Sequence, residues 1–542
     1  MEQNSYHTYK NCLLLILVVI LFSNCTNQNK KQTDYNVFRY NEHKNISSLD
    51  PAFAKDNANI WAVNQIFNGL VQMNDNLEVK PCIASSWNIS NDHKTYIFNL
   101  RDDVYFHKHK LFGNQKTRTV SANDFVFSFN RIKDELTASP GRWVMDQVND
   151  IKAVNSNTLK IELKSPFPAF LGLLTMKYCS VVPHEIVNAP TLDFRKNPIG
   201  TGPFKFKLWK ENIKLVLRKN YLYFEADENS VKLPYLEAIA ITFIPDKQSE
   251  YLEFIKGNID FISGIEDAYK DDIIDKNGAL QNKYLDRIKM LKTPYLNTEY
   301  IAFNLSNENL VANSKALRKA INIGFDRSKM IKYLRNGIGV AANNCFIPKG
   351  LPGHDDSQEI IYNPELSKKL IKGFKDESGI LNPKIKLTTT ANYLSFCEYI
   401  QRELKNNGLN IDIEVIPAAA LKEAKANGKL SMFRASWIAD YPDAQNYLSL
   451  FYSKNFSPFG PNYSFFNNQE FDNLYQQSFG VTGIKKRIKL YQKMDALINT
   501  EIPVIPLFYD EVIRFTSKKV KGLGINSINL LNLKSVKKLV NL

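Results

Sequence analysis

Residues Cys12–Phe22 (CLLLILVVILF) form an unbroken apolar run of eleven residues, and Lys10 stands just ahead of it. At about 1.5 Å per residue, such a run is too short for a bilayer core of about 30 Å, which needs roughly 20 residues. A basic flank, a short apolar stretch and then Ser23-Asn24-Cys25 describe a secretory signal instead. The chain behind it must therefore fold outside the cytoplasm. No other stretch reaches the roughly 18 apolar residues of a membrane span, so the remainder is expected to be soluble there.

The cysteine directly behind the run resembles that of a bacterial lipoprotein signal, in which the thiol is lipidated and the chain is cut before it. Asn24 stands where such signals usually carry Gly, Ala or Ser, and a plain signal with an incidental Cys25 is the competing reading. Residues 1–24 are then the signal and 25–34 a polar tether of the flexible kind. Its two lysines, Lys30 and Lys31, favour an anionic bilayer surface slightly. With Cys12 removed and Cys25 assigned, Cys82, Cys179, Cys345 and Cys397 remain, with no Cys-x-x-Cys among them. Zinc knuckles and thioredoxin-type sites are not indicated. Disulfides and buried free thiols are both compatible with that spacing.

The chain of 542 residues is 44% hydrophobic and 12% aromatic, ample for a buried core and incompatible with wholesale disorder. Its length suggests three to four domains at roughly 150 residues each. The formal charge of +15 is spread over pairs and triplets such as Lys485-Lys486-Arg487, with no five-residue basic block. Nucleic acid is therefore not expected as a partner.

Strand and helix signals are intermixed. Thr95–Leu100, Thr158–Lys164, Ile213–Arg218 and Ile411–Ile416 alternate or enrich β-branched residues as strands do, and Ala238–Ile244 fits a strand covered on both faces. Apolar spacing predicts helices over Asn123–Ile132, Lys315–Leu334, Tyr393–Asn407 and Ile484–Ile498. Asn407-Gly408 closes its helix, and Asn277-Gly278 is another break. This is an α/β chain of several lobes.

Catalytic motifs are missing: there is no phosphate-binding glycine loop, no Gly-x-Ser-x-Gly and no His-Glu-x-x-His. Among seven histidines only His107 and His109 are a close pair, expected on a surface loop rather than in a metal site. No catalytic residue, metal or cofactor is expected, and the chain reads as a binder rather than an enzyme. An envelope hydrolase, the rival class, would need a nucleophile with an adjacent base or a metal.

Several segments stand in a telling order: Ser48-Leu49-Asp50-Pro51-Ala52, Gln65–Val71 (QIFNGLV), Lys80–Trp87 (KPCIASSW), Ser90–Arg101, Ser121–Phe129 (SANDFVFSF), Pro198–Phe204 (PIGTGPF) and Trp437–Asp443 (WIADYPD). Together they resemble the solute-binding proteins of peptide and oligopeptide ABC transporters, bacterial family 5, over about residues 36 to 515. The resemblance implies a two-lobed periplasmic-binding-protein fold, type II-like and of the large cluster, with an inserted extra domain and a hinge between lobes. Carried over by segment, residues 35–70, 192–290 and 507–542 form lobe I, 71–191 the insert and 291–506 lobe II. Leu291–Pro294 suits a hinge because proline restrains itself and its predecessor, and Glu501–Pro506 suits a second crossing. The implied partners are a peptide ligand and the membrane permease of the importer, with the receptor itself a monomer anchored through Cys25 at the cell envelope, facing the periplasm or exterior. The same scaffold also serves metal chelates, sugars and haem, so fold alone leaves the ligand open.

Binding chemistry concentrates in Arg434–Asp443 (RASWIADYPD). On a strand over Phe433–Ala439, alternation points Arg434, Ser436, Ile438 and Asp440 to one face. A cation and an anion at opposite ends suit a zwitterionic peptide. Asp440 would take the α-ammonium, and Arg434 could grip the carboxylate in bidentate fashion. The family resemblance assigns the amine-binding role to the position of Asp440 and, in some members, the carboxylate-binding role to that of Arg434. Alternatives stay open for both: Asp440 as a turn cap, Arg434 as an ion-pair partner or surface charge. Trp437 and Tyr441 are candidate pocket walls, and Asp443 reads as a structural cap.

Overall fold

The computed structural model describes residues 36–539 apart from 267, 268, 307 and 482; the signal, Cys25 and the tether lie outside the described residues. An 11-stranded sheet forms the frame. Its order runs Asn410–Val415, Lys384–Thr389, Met432–Ile438, Ile288–Phe303, Val504–Ser517, Phe261–Ser263, Val37–Asn41, Ala238–Thr242, Lys214–Lys219 and Phe204–Lys210, with Val340–Ala341 attached beside Val504–Ser517. Two strands are much longer than the rest. Ile288–Phe303 and Val504–Ser517 run antiparallel, pairing Ile288–Pro294 with Ser517–Glu511 and then Thr298–Ala302 with Tyr509–Val504. The register shifts between Pro294 and Thr298 and again between Glu299 and Tyr300. One end of this ribbon joins Phe261–Ser263, the other joins Met432–Ile438. The Pro-bearing segment Glu501–Pro506 enters the ribbon at its Met432–Ile438 end, beside the second shift, where Pro506 pairs with Tyr300; the first shift lies further along, opposite Tyr509–Glu511.

A separate four-stranded antiparallel sheet orders Ala84–Ile89, Thr95–Leu100, Thr158–Leu163 and Val148–Asn155. Strict alternation of buried and partly exposed residues along Thr158–Leu163 turns Leu159, Ile161 and Leu163 onto one core. The helix Ala122–Lys133 covers that core with Phe125 and Phe129, both 0% exposed. Its start is fixed by a capping box in which Asp124 accepts the Ser121 backbone N–H at 2.8 Å. Separate apolar clusters lie around Phe38, Ile66 and Ile239, and around Ile301, Leu317 and Ile400.

Close approach explains the Pro-Ile-Gly-Thr-Gly-Pro-Phe segment. A Cβ at Gly200 would stand 2.2 Å from the Ile66 carbonyl oxygen, and Gly202 donates its N–H to that oxygen at 2.8 Å. Asp50 in the first motif accepts the Ala52 N–H and forms a bidentate pair with Arg131 of the Ala122–Lys133 helix.

Two expectations are corrected. Lys315–Leu334 is two helices, Lys315–Ile323 and Arg327–Arg335: Gly324 ends the first where a Cβ would meet Leu404 at 2.6 Å, and Asp326 caps the second through the Lys329 N–H. His107 is buried, not on a surface loop; its Nε2 meets the Gly202 carbonyl at 3.0 Å, and burial lowers its pKa to about 4. The four described cysteines are free and buried. Among the described residues, no helix is long and apolar enough to cross a membrane.

Candidate functional site

Met432–Ile438 pairs with Ile288–Phe303, placing Arg434 opposite Ile301, Ser436 opposite Glu299 and Ile438 opposite Asn297. Phe433 and Ala435 point into the core, whereas Arg434 and Ser436 are half-buried and Ile438 and Asp440 exposed. The chain leaves the strand at Ala439, whose N–H donates to the Leu296 carbonyl at 2.9 Å. Asp440 stands immediately beyond.

Asn446 fixes that aspartate. Its Nδ2 donates to Asp440 Oδ2 at 3.1 Å, while its Oδ1 accepts the Asp440 backbone N–H at 3.2 Å and the Trp437 Nε1–H at 2.8 Å. Among the described residues no cation pairs with Asp440, so its remaining lone pairs are available. Water reaches the carboxylate, yet surrounding protein desolvates it. Burial therefore raises its pKa above the ordinary aspartate value, partly offset by the Asn446 hydrogen bond.

Asp440 lines two cavities. One, of about 470 Å³, is walled by residues 42–44, 54–58, 175–178 and 438–440. The other, of about 620 Å³, includes Trp437, Tyr441, Tyr452, Phe459 and Tyr475. Both volumes fall in the range of small-molecule sites, roughly 300–1,000 Å³. Tyr441 is 4% exposed and packs edge-on against Phe167 with ring centres 6.4 Å apart, and its hydroxyl donates to Gln445. Phe167 also stacks on Phe479 at 5.9 Å, so aromatic contacts join the four-stranded-sheet domain to the region behind Trp437. Asp443 is a structural anchor: it accepts the Gln445 N–H, the Tyr491 hydroxyl and the Arg487 guanidinium.

Arg434 is engaged within the protein. Its Nη2 pairs with Glu299, and its guanidinium lies 3.2 Å from the centre of the Tyr393 ring. The two charged side chains are 11% and 4% exposed, so this is a largely buried pair. Its Nε has no partner among the described residues. Tyr393 lines a third cavity of about 710 Å³ together with Lys247, Arg335 and Asp510. Arg434 thus lies beside a residue of this third cavity, whereas Asp440 lines the other two.

Sequence reasoning missed Asn446, which no motif marks, and the opposing wall at Thr175–Tyr178, which is remote in sequence. Among the described residues, the group Asp124, His184 and Glu185 has metal-ligand types within reach of one another. Arg118 already pairs with both of its carboxylates.

Mixed α/β structure on a large sheet with a pair of long antiparallel strands is consistent with the two-lobed fold of the periplasmic binding proteins. The family model described as bacterial extracellular solute-binding proteins, family 5, matches residues 78–459. The chain belongs to this family. It is 28% identical to heme-binding protein A of Haemophilus influenzae over 94% of both chains, and 26% identical to the dipeptide-binding protein of Escherichia coli over 85% of this chain and 87% of that one. It also superposes on the ABC transporter-associated periplasmic binding protein DppA of Helicobacter pylori, solved in complex with the peptide STSA. That match has a TM-score of 0.77 and 26% identity, covering 94% of this chain and 100% of the other.

Proposed function

We propose that this chain is the lipid-anchored receptor of an ABC importer, capturing peptides between its lobes and delivering them to the membrane permease without chemistry of its own. The observation carrying this reading is Asp440: a carboxylate held in place by Asn446, without a cation partner among the described residues, and lining two cavities at once. A peptide's α-ammonium supplies the missing counter-ion. Peptide binders among the similar proteins support the same ligand class. In this reading residues 35–70, 192–290 and 507–542 form lobe I, 71–191 the insert and 291–506 lobe II. The ribbon irregularity at Pro294–Thr298 is the flexing point. Trp437 and Tyr441 wall the ligand cavity, and Arg434 stays with Glu299 unless a ligand carboxylate reaches its free Nε. Cys25 carries the lipid, outside the described residues.

A receptor for another solute is the competing reading, since the Haemophilus influenzae relative is named for heme. Native mass spectrometry of the purified protein, before and after mild unfolding, separates the two. Released peptides support the proposal; a released porphyrin or other non-peptide solute contradicts it.

A further inference from the structure

The wall facing Asp440 across the smaller cavity carries a cation with nothing to neutralise it. Lys177 opens a short helical turn, Lys177–Cys179, whose backbone is pinned by the Ser180 N–H and hydroxyl, both donating to the Lys177 carbonyl. Its side chain is half-buried and lines the same 470 Å³ cavity as Asp440. Among the described residues its ammonium has neither an ion pair nor a hydrogen-bond partner. The adjacent carboxylate is already taken: Glu225 accepts from Lys534, from the Tyr223 hydroxyl at 2.9 Å and from Gln72 at 2.7 Å. Lys534, Lys177 and Glu225 all act electrostatically on the Cys82 thiol, which places the four in one neighbourhood. A second lysine there adds repulsion rather than relief. Burial, reinforced by Lys534, lowers the Lys177 pKa to about 8 despite the nearby thiols, leaving it largely charged at neutral pH.

The other acidic residues of the cavity wall do not pair with Lys177. Glu42 is 6% exposed, and burial beside Glu250 raises its pKa to about 8, so it is largely protonated at neutral pH. Asp56 caps the helix Asn57–Ile66 by accepting the Asn59 N–H. Lys44 and Lys55 stand on the exposed rim and add positive potential. The acidic side chains of the wall are Glu42, Asp56 and Asp440, and among the described residues none of them forms an ion pair with Lys177.

We propose that Lys177 is a specificity residue that binds a carboxylate of the ligand whose amine rests on Asp440. The carboxylate has two sources, an acidic side chain near the amino terminus or the terminal carboxylate of a short peptide, and the chemistry of recognition is shared. This inference rests on the peptide reading of Asp440. A charge-assisted hydrogen bond formed in such a site carries about a ten-fold or larger affinity difference.

Calorimetry on ligand-free protein tests it with four peptides: Ala-Glu-Ala, Ala-Gln-Ala and the carboxyl-terminal amides of each. The Glu-to-Gln ratio reads the side-chain source, and the acid-to-amide ratio reads the terminal source. In the wild type at least one ratio is expected to be about ten-fold or more. Lys177→Met should bring that ratio close to one while leaving the affinity for Ala-Gln-Ala amide unchanged, which shows that the fold and the amine site survive. Lys177→Arg should restore the preference. If both ratios are the same in wild type and Lys177→Met while free-amine peptides still bind, Lys177 reads no carboxylate and the inference is overturned alone. If none of the peptides binds the wild type, the peptide reading itself fails and this inference falls with it.

Discussion

Asn446 holds Asp440 at two points, donating to its carboxylate at 3.1 Å and accepting its backbone N–H at 3.2 Å. The amide thus orients the carboxylate and stabilises its ionised form against the desolvation that raises its pKa. Only ionised Asp440 pairs with an ammonium. The affinity for free-amine peptides should therefore fall on acidification, beginning at a higher pH than an ordinary aspartate would give. Asn446→Leu removes the offsetting hydrogen bond and should move that fall to still higher pH. Binding titrations from neutral to acidic pH check this; superimposable profiles for the two proteins would separate Asn446 from the site's electrostatics.

The Arg434–Glu299 pair predicts a stability effect with an asymmetric signature. Glu299→Gln removes the counter-charge of the largely buried guanidinium and should cost up to about 3–5 kcal/mol, the usual penalty for breaking a buried pair from one side. Adding Arg434→Met to Glu299→Gln removes the orphaned charge and should recover much of the loss. Scanning calorimetry of the single and double variants decides it. A double variant no more stable than the single would show that the pair's charge is not what matters.

Closure is expected to depend on aromatic contacts between the insert and the wall behind Asp440. Phe167 packs on both Tyr441 and Phe479, so Phe167→Ala should weaken the closed state and require more ligand to reach it. Small-angle scattering should report a smaller radius for wild type at saturating peptide than without it. Identical curves in the two conditions would contradict a hinged receptor.

The proposed anchoring rests on Cys25, three residues beyond the last residue of the apolar run, Phe22. Cys25→Ser should release the protein from membranes or leave its signal uncut. A single acyl chain binds only reversibly, whereas a lipoprotein with several should resist salt washing. Normal trimming with unchanged membrane association in the variant would refute lipidation.

The elements that alternation or amphipathicity marks strongly were legible in the sequence. Thr95–Leu100 is a strand with the expected bounds, and Asn407-Gly408 does end its helix, with Gly408 at φ +95°. Lys315–Leu334 misled because its apolar period continues through Gly324 although the backbone restarts at Asp326. The histidine pair misled for a different reason: what buries His107 is the Gly200–Gly202 backbone, far away in sequence. The same limit applies to the site. Spacing offers Asp440 and Arg434 as the anion and cation at opposite ends of one segment, but the partner that occupies Arg434 is Glu299 on an adjacent strand. Lys177 comes from the opposite wall altogether. Pairings across strands and across the cleft are set by tertiary packing, and one-dimensional spacing carries no trace of them.

The most direct measurement is calorimetric binding of a short peptide and its N-acetylated form to ligand-free wild type and Asp440→Asn. The substitution keeps the shape and removes the charge, leaving the ligand's ammonium without a counter-ion. In the wild type the free amine should bind far more tightly than the acetylated form. In Asp440→Asn the free-amine peptide should lose about 10²–10³ in affinity, corresponding to roughly 3–5 kcal/mol, and the discrimination between the two forms should nearly vanish. Free-amine binding as tight in Asp440→Asn as in the wild type would reduce Asp440 to a structural cap and contradict the account of this cleft as a peptide site.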